Sequence, residues 1–173
     1  MSAHPIPESD QVEATITQWV EEALELRHEA AGDPKGSING VNPQTLDEVY
    51  DLLRRVRARS DRVDELLAKA TQLRGRVRRA KEAADFNADR AVAEATQQRA
   101  ARRVEFSSAK EREAEAKLDA FEQRRTLYFA NRLVSITTDG YEVIRQVSSQ
   151  LAEIRSDLRA HLRALQFESG LER

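Results

Sequence analysis

The sequence predicts an all-α protein, a long helical hairpin or coiled coil behind a short N-terminal helix, with its core completed by oligomerisation. Three observations predict it. Of 173 residues, 34% are charged and only 5% aromatic, and the mean hydropathy is −0.67. That leaves little bulky apolar material for a large globular core. Six Gly and four Pro are too few for a turn-rich β domain, and the abundance of Ala, Glu, Arg, Leu and Gln suits long helices. Second, apolar residues recur every seven positions through the first half of the chain. Third, Ile144, Val147, Leu151, Ile154, Leu158, Leu162 and Leu165 recur every three or four positions near its end, the spacing of one helical face.

The elements follow in order. A first helix is expected over residues 10–31. Asp10 and Glu13 form a D-x-x-E start in which each side chain satisfies a free backbone N–H, and Val12, Ile16, Trp19, Val20, Ala23 and Leu24 make its apolar stripe. Residues 32–42 hold Gly, Pro and Asn at a density no helix tolerates. Residues 1–41 thus form an acidic helix with its linker, and 42–173 a hairpin and oligomerisation domain. Asn42 and Pro43 supply a cap and a first helical residue. From there Val49, Val56, Val63, Ala70, Val77, Ala84 and Ala91 keep a heptad, with Leu46, Leu53, Ser60, Leu67, Arg74, Lys81 and Ala88 in the companion slot. This sustained spacing argues a coiled coil. A helix over 43–103 would be about 90 Å long. One hairpin partner covers only one side of such a helix, which is why a homo-oligomer is expected. Residues 104–109 form the break, where Ser108 and Glu111 make a capping box. The last helix runs from Ala109 to about Phe167. Its first half has only Leu118, Phe121, Tyr128 and Phe129 as sparse anchors, and Gly140 costs it about 1 kcal/mol against Ala without breaking it.

Charge is distributed in blocks. Residues 1–51 carry eleven acids and two bases, a net of −9; residues 54–103 carry fifteen bases and seven acids, a net of +8; residues 104–173 are close to balance. The middle block is the one that attracts a polyanion. Zero cysteine excludes disulfides, thiolate metal sites and thiol nucleophiles. No apolar run approaches the ~18 residues of a membrane span, and the first residues lack the pattern of a signal peptide, so a cytoplasmic protein is expected. His4, His28 and His161 show no metal-ligand spacing, and 36–40 lacks the Gly-Lys-Ser/Thr of a P-loop. No active site, metal or cofactor is indicated, so the chain reads as a non-enzyme.

The candidate site is the basic segment 73–81. Arg74, Arg78 and Lys81 fall at i, i+4 and i+7 on one helical face, with Arg76 and Arg79 beside it. Guanidinium groups match phosphate oxygens bidentately, and such a cluster binds nucleic acid in a salt-dependent way. Phe86 lies just beyond, where it can stack on a base. The alternative is a solvated helix face partly neutralised by Glu82 and Asp85. Arg54, Arg55, Arg57, Arg59 and Arg62, and the row Arg155, Arg159 and Arg163, read first as solvated or salt-bridged faces. The acidic first helix can dock on a basic partner or pack back on the long helices.

The layout of basic helix, break and strongly apolar C-terminal helix resembles the UvsY-type recombination mediators of phages. Arg79-Ala80-Lys81 followed by Phe86 stands where that family has its basic-x-basic DNA-contacting element and aromatics. The break at 104–109 and the helix over 141–168 match in order and spacing, so the resemblance covers roughly 43–173. It implies a protein that binds single-stranded DNA, coexists with a single-strand-binding protein and helps load a RecA-like recombinase in the bacterial cytoplasm, with assembly through the C-terminal helix. The competing expectation is a phage or bacterial scaffold, tail component or adaptor built on the same hairpin.

Overall fold

A computed structural model describes residues 9–31, 45–101 and 109–170. Every described residue except Thr45, Ala120, Ser169 and Gly170 is α-helical, in the order α1 (Ser9–Ala31), α2 (Leu46–Ala101), α3 (Ala109–Asp119) and α4 (Phe121–Glu168). The all-α class is therefore as expected. The chain gathers into two compact units, Met1–Ala14 with Leu73–Thr138, and Thr15–Gln72 with Asp139–Arg173. Their boundaries fall inside helices, so α1, α2 and α4 each contribute to both.

The start of α2 differs from the expectation. Asn42 and Pro43 lie outside the described residues, as does Ser108. The observed cap is Thr45. Its Oγ1 accepts from the Glu48 backbone N–H at 3.3 Å, and Glu48 Oε2 accepts from the Thr45 N–H at 3.3 Å, a reciprocal capping box. Glu13 is used differently too. Its carboxylate accepts from Arg132 Nη2 at 3.2 Å, because a guanidinium on α4 offers it a charged donor.

In the unit of Thr15–Gln72 and Asp139–Arg173, three helices share one core. Arg59 Nε donates to Glu29 at 3.2 Å and Arg62 Nε to Glu22 at 2.6 Å, which sets α1 antiparallel to α2. Ser148 Oγ donates to Asp64 at 2.8 Å and Gln166 Nε2 to the Tyr50 hydroxyl at 3.3 Å, so α4 is also antiparallel to α2. Arg62 bridges Glu22 and Glu65, and both contacts hold its charge more firmly; Lys69, then Arg62, hold the Glu65 carboxyl below the usual range. Val49, Val56, Val63 and Ala70 are buried along one row of α2, facing Ile144, Val147, Leu151 and Leu158 of α4 and Ile16, Ala23 and Ala30 of α1. Leu66, outside both heptad rows, is fully buried as well. A helix covered by two neighbours buries a wider arc than the two-residue seam of a coiled coil. The acidic helix thus packs back on the long ones.

Gly140 explains how closely α1 can come. A Cβ built there would overlap Cγ1 of Ile16 and sit 3.1 Å from its Cδ1. The glycine lets a branched side chain of α1 rest against the backbone of α4. The helix runs through unbroken: the buried Thr137 hydroxyl donates to the Leu133 carbonyl at 2.8 Å, satisfying itself within its own turn. Ser60 is different. It is buried on α2, and its Oγ has no hydrogen-bond partner among the described residues.

In the unit of Met1–Ala14 and Leu73–Thr138, α2 and α4 pack antiparallel, with Val77 meeting Leu133 and Ala84 lying across from Thr126. Val12, Val77 and Leu133 form its apolar centre, with Leu73 and Val134 packed around them. Farther along the pair, Ala80, Ala84 and Ala88 of α2 and Ala116, Ala120 and Ala130 of the return helices are buried, and small side chains let two backbones approach closely. A cleft of about 250 Å³ lies between them, lined by Ala84, Asn87, Glu122, Gln123 and Thr126. The expected single helix from Ala109 is divided by a turn at Ala120. Helical hydrogen bonding nevertheless continues through it, from Ala120 N to Ala116 O at 3.1 Å and from Arg124 N to Ala120 O at 3.0 Å.

Two stability measurements test this packing. Gly140→Ala gains about 1 kcal/mol of helix propensity, but overpacking against Ile16 costs about 1–3 kcal/mol, so thermal unfolding should occur at lower temperature. In an Ile16→Ala background the overlap is gone and the same substitution should stabilise; no change of sign would contradict the close approach. Ser60→Ala should raise stability by about 1 kcal/mol or more, since it removes an unsatisfied buried hydroxyl and improves helix propensity.

Candidate nucleic-acid interface

The basic segment lies in the continuous helix α2, where each residue turns about 100°. Val77, Ala80, Ala84 and Ala88 point into the core. Arg79 and Phe86, seven residues apart, therefore share the opposite, solvent-facing side. Phe86 is 67% exposed. Arg76 and Arg78 flank that side and are exposed with Arg79. The Arg79 guanidinium lies over Gly75, whose missing side chain leaves 3.8 Å between that group and the position a Cβ would take.

The six expected residues divide into two sets. Arg76, Arg78, Arg79 and Phe86 are open to solvent. Arg74 and Lys81 are half-buried at the edge of the core, and Lys81 donates to Asp85 at 3.5 Å. Arg74 and Lys81 hold seam positions because their aliphatic stems cover apolar surface while their charges reach the edge. Arg76, Arg78 and Arg79 have no carboxylate within ion-pair distance among the described residues. Several other cations of α2 do. Arg54 pairs with Asp51, Arg59 with Glu29, Arg62 with Glu22 and Glu65, Lys69 with Glu65, and Arg90 with Glu94. The earlier arginine set is thus largely used to hold α1 and to neutralise neighbouring acids.

The row on α4 is a second set of cations without a carboxylate in ion-pair distance among the described residues. Arg155 is half-buried and Arg159 and Arg163 are exposed. Phe167, 75% exposed, continues the row four residues on. Its i, i+4 continuation from Arg163 was legible in the sequence as the same spacing that linked the arginines. Ile144, Val147, Leu151 and Leu158 of the expected assembly helix are buried within the single chain, and Ile154, Leu162 and Leu165 are half-buried. Their burial requires no second copy.

Among the described residues no group of three or more His, Asp or Glu is placed to hold a metal ion. None of the described helices is long and apolar enough to cross a membrane. No protein-family model, curated protein or solved structure matches this chain.

Proposed function

We propose that this chain is a non-enzymatic protein that binds single-stranded DNA along the outer face of α2. The observation that carries the reading is the combination of three exposed arginines, Arg76, Arg78 and Arg79, which have no ion pair among the described residues, with an exposed aromatic ring, Phe86, on the same stretch of helix. Arginines without carboxylate partners keep their full attraction for phosphates. A ring that gains nothing from burial offers a face on which any base can stack. Arg74 and Lys81 sit at the margin of this face and add to its potential. In its fuller form, supported by the resemblance to UvsY-type mediators, the bound strand is handed to a RecA-like recombinase in the presence of a single-strand-binding protein. The alternative is a structural or scaffold protein. The several intrahelical ion pairs and the exposed apolar side chains of α3 and α4 favour it.

Binding of a fluorescent single-stranded oligonucleotide by the full chain, measured at rising salt, separates the two. Replacing Arg76, Arg78 and Arg79 by Ala should weaken binding strongly at low salt and make the logarithmic salt slope shallower by about 2, since each single-strand phosphate contact contributes about 0.7. Phe86→Ala should cost about 1–3 kcal/mol through lost stacking. Arg159→Ala with Arg163→Ala serves as the control and should leave affinity unchanged. Undetectable binding at low salt, or equal loss in the control, would overturn this assignment.

A further inference from the structure

The stretch of α3 and α4 from Lys110 to Phe129 presents an apolar stripe to solvent. Leu118, Phe121 and Tyr128 are 70%, 57% and 67% exposed, and Phe129 is 36% exposed. Leu118, Phe121, Arg125 and Tyr128 are spaced three, four and three, the pattern of a helix that lies along another helix. Where the stripe continues down α4, its next position carries an ion pair to this chain's own α1. Glu13 of α1 reaches Arg132, four residues after Tyr128. Before Arg132 none of the described residues covers it. The stripe is thus an exposed helix face whose first half has no partner among the described residues.

We infer that a second copy of this chain occupies that face, with the two α3–α4 segments side by side, parallel and in register. The choice follows from the charges on either flank. In a parallel pair, the residue before each first seam position meets the residue five places later on the other helix. Here those pairs are Lys110 with Glu115, Lys117 with Glu122, and Arg124 with the Phe129 ring, each occurring twice by symmetry. Two are opposite charges and the third is a cation over an aromatic face. An antiparallel pair centred on the same stripe would set Glu122 against Glu122 and Arg124 against Arg124. Lys117 already pairs with Glu113 at 2.5 Å; both are exposed, so exchanging that partner for Glu122 of the second copy costs little. Arg125 is the poor seam residue. Its guanidinium lies over the Phe129 ring at 5.7 Å, which draws the charge away from the midline.

Sedimentation equilibrium of the full chain over a broad concentration range tests the pairing. A reversible dimer is expected. Phe121→Asp with Tyr128→Asp should raise its dissociation constant about tenfold or more while circular dichroism melting holds, because both side chains are exposed. Lys117→Glu and Glu122→Lys should each weaken the dimer, and the double exchange should restore it. Since the chain has no cysteine, Ala114→Cys provides a clean orientation test. Ala114 lies on the seam seven residues before Phe121, and a parallel in-register dimer places the two thiols within disulfide reach. A monomer at every concentration, a dimer insensitive to Phe121 and Tyr128, or failure of the charge exchange to restore pairing would overturn the inference.

Discussion

The unit of Thr15–Gln72 and Asp139–Arg173 depends on the place where α1 meets α4 without a side chain between them. Gly140 removes the one Cβ that would overlap Ile16, so α1 lies close enough to bury Ile16, Ala23 and Ala30. A two-helix pair of α2 and α4 would leave much of their apolar arc wet. The third helix closes that arc, and Arg59 and Arg62 fix its orientation by reaching Glu29 and Glu22. Those ion pairs are solvent-accessible and individually small; they orient α1, and apolar burial holds it.

That closure within one chain changes what the remaining surface means. Residues 144–158 of α4 contribute four of the buried core side chains, and Arg54, Arg59, Arg62 and Lys69 have carboxylate partners. Besides the row of Arg159, Arg163 and Phe167 at the end of α4, two exposed faces remain in the unit of Met1–Ala14 and Leu73–Thr138. One is the outer side of α2, where arginines and a phenylalanine stand open. The other is the outer side of α3 and α4, where Leu118, Phe121 and Tyr128 do. The first has the chemistry of phosphate and base, the second that of another helix.

Much of this was legible in the sequence. The row from Val49 to Ala84 is buried as its spacing required, and α1 packs back on the long helices. Helix termini were harder to place. Several N–H-capping side chains stand near each start, and Thr45 with Glu48 forms the observed box at the start of α2. Gly140 reads locally as a weak helix residue; its value lies in a contact with Ile16, more than a hundred residues distant, which no local pattern contains. Arg74 and Lys81 look like site residues from their charge at seam positions, yet their long stems let them sit half-buried at the core's margin. The seam of α3 and α4 was visible only as scattered anchors because Arg125 interrupts it. The basic-aromatic segment was legible as a cluster, while the division between its outward and marginal members needed the direction of the core.

The central functional claim is that single-stranded DNA runs along the outer face of α2. Ultraviolet cross-linking of the full chain to single-stranded DNA containing bromodeoxyuridine at low salt, with the attachment site mapped by mass spectrometry, tests it most directly. Attachment at Phe86 or at neighbouring residues of that face, diminishing as salt rises, is the predicted result. Attachment confined to α4 around Phe167, or no attachment at all, would contradict it.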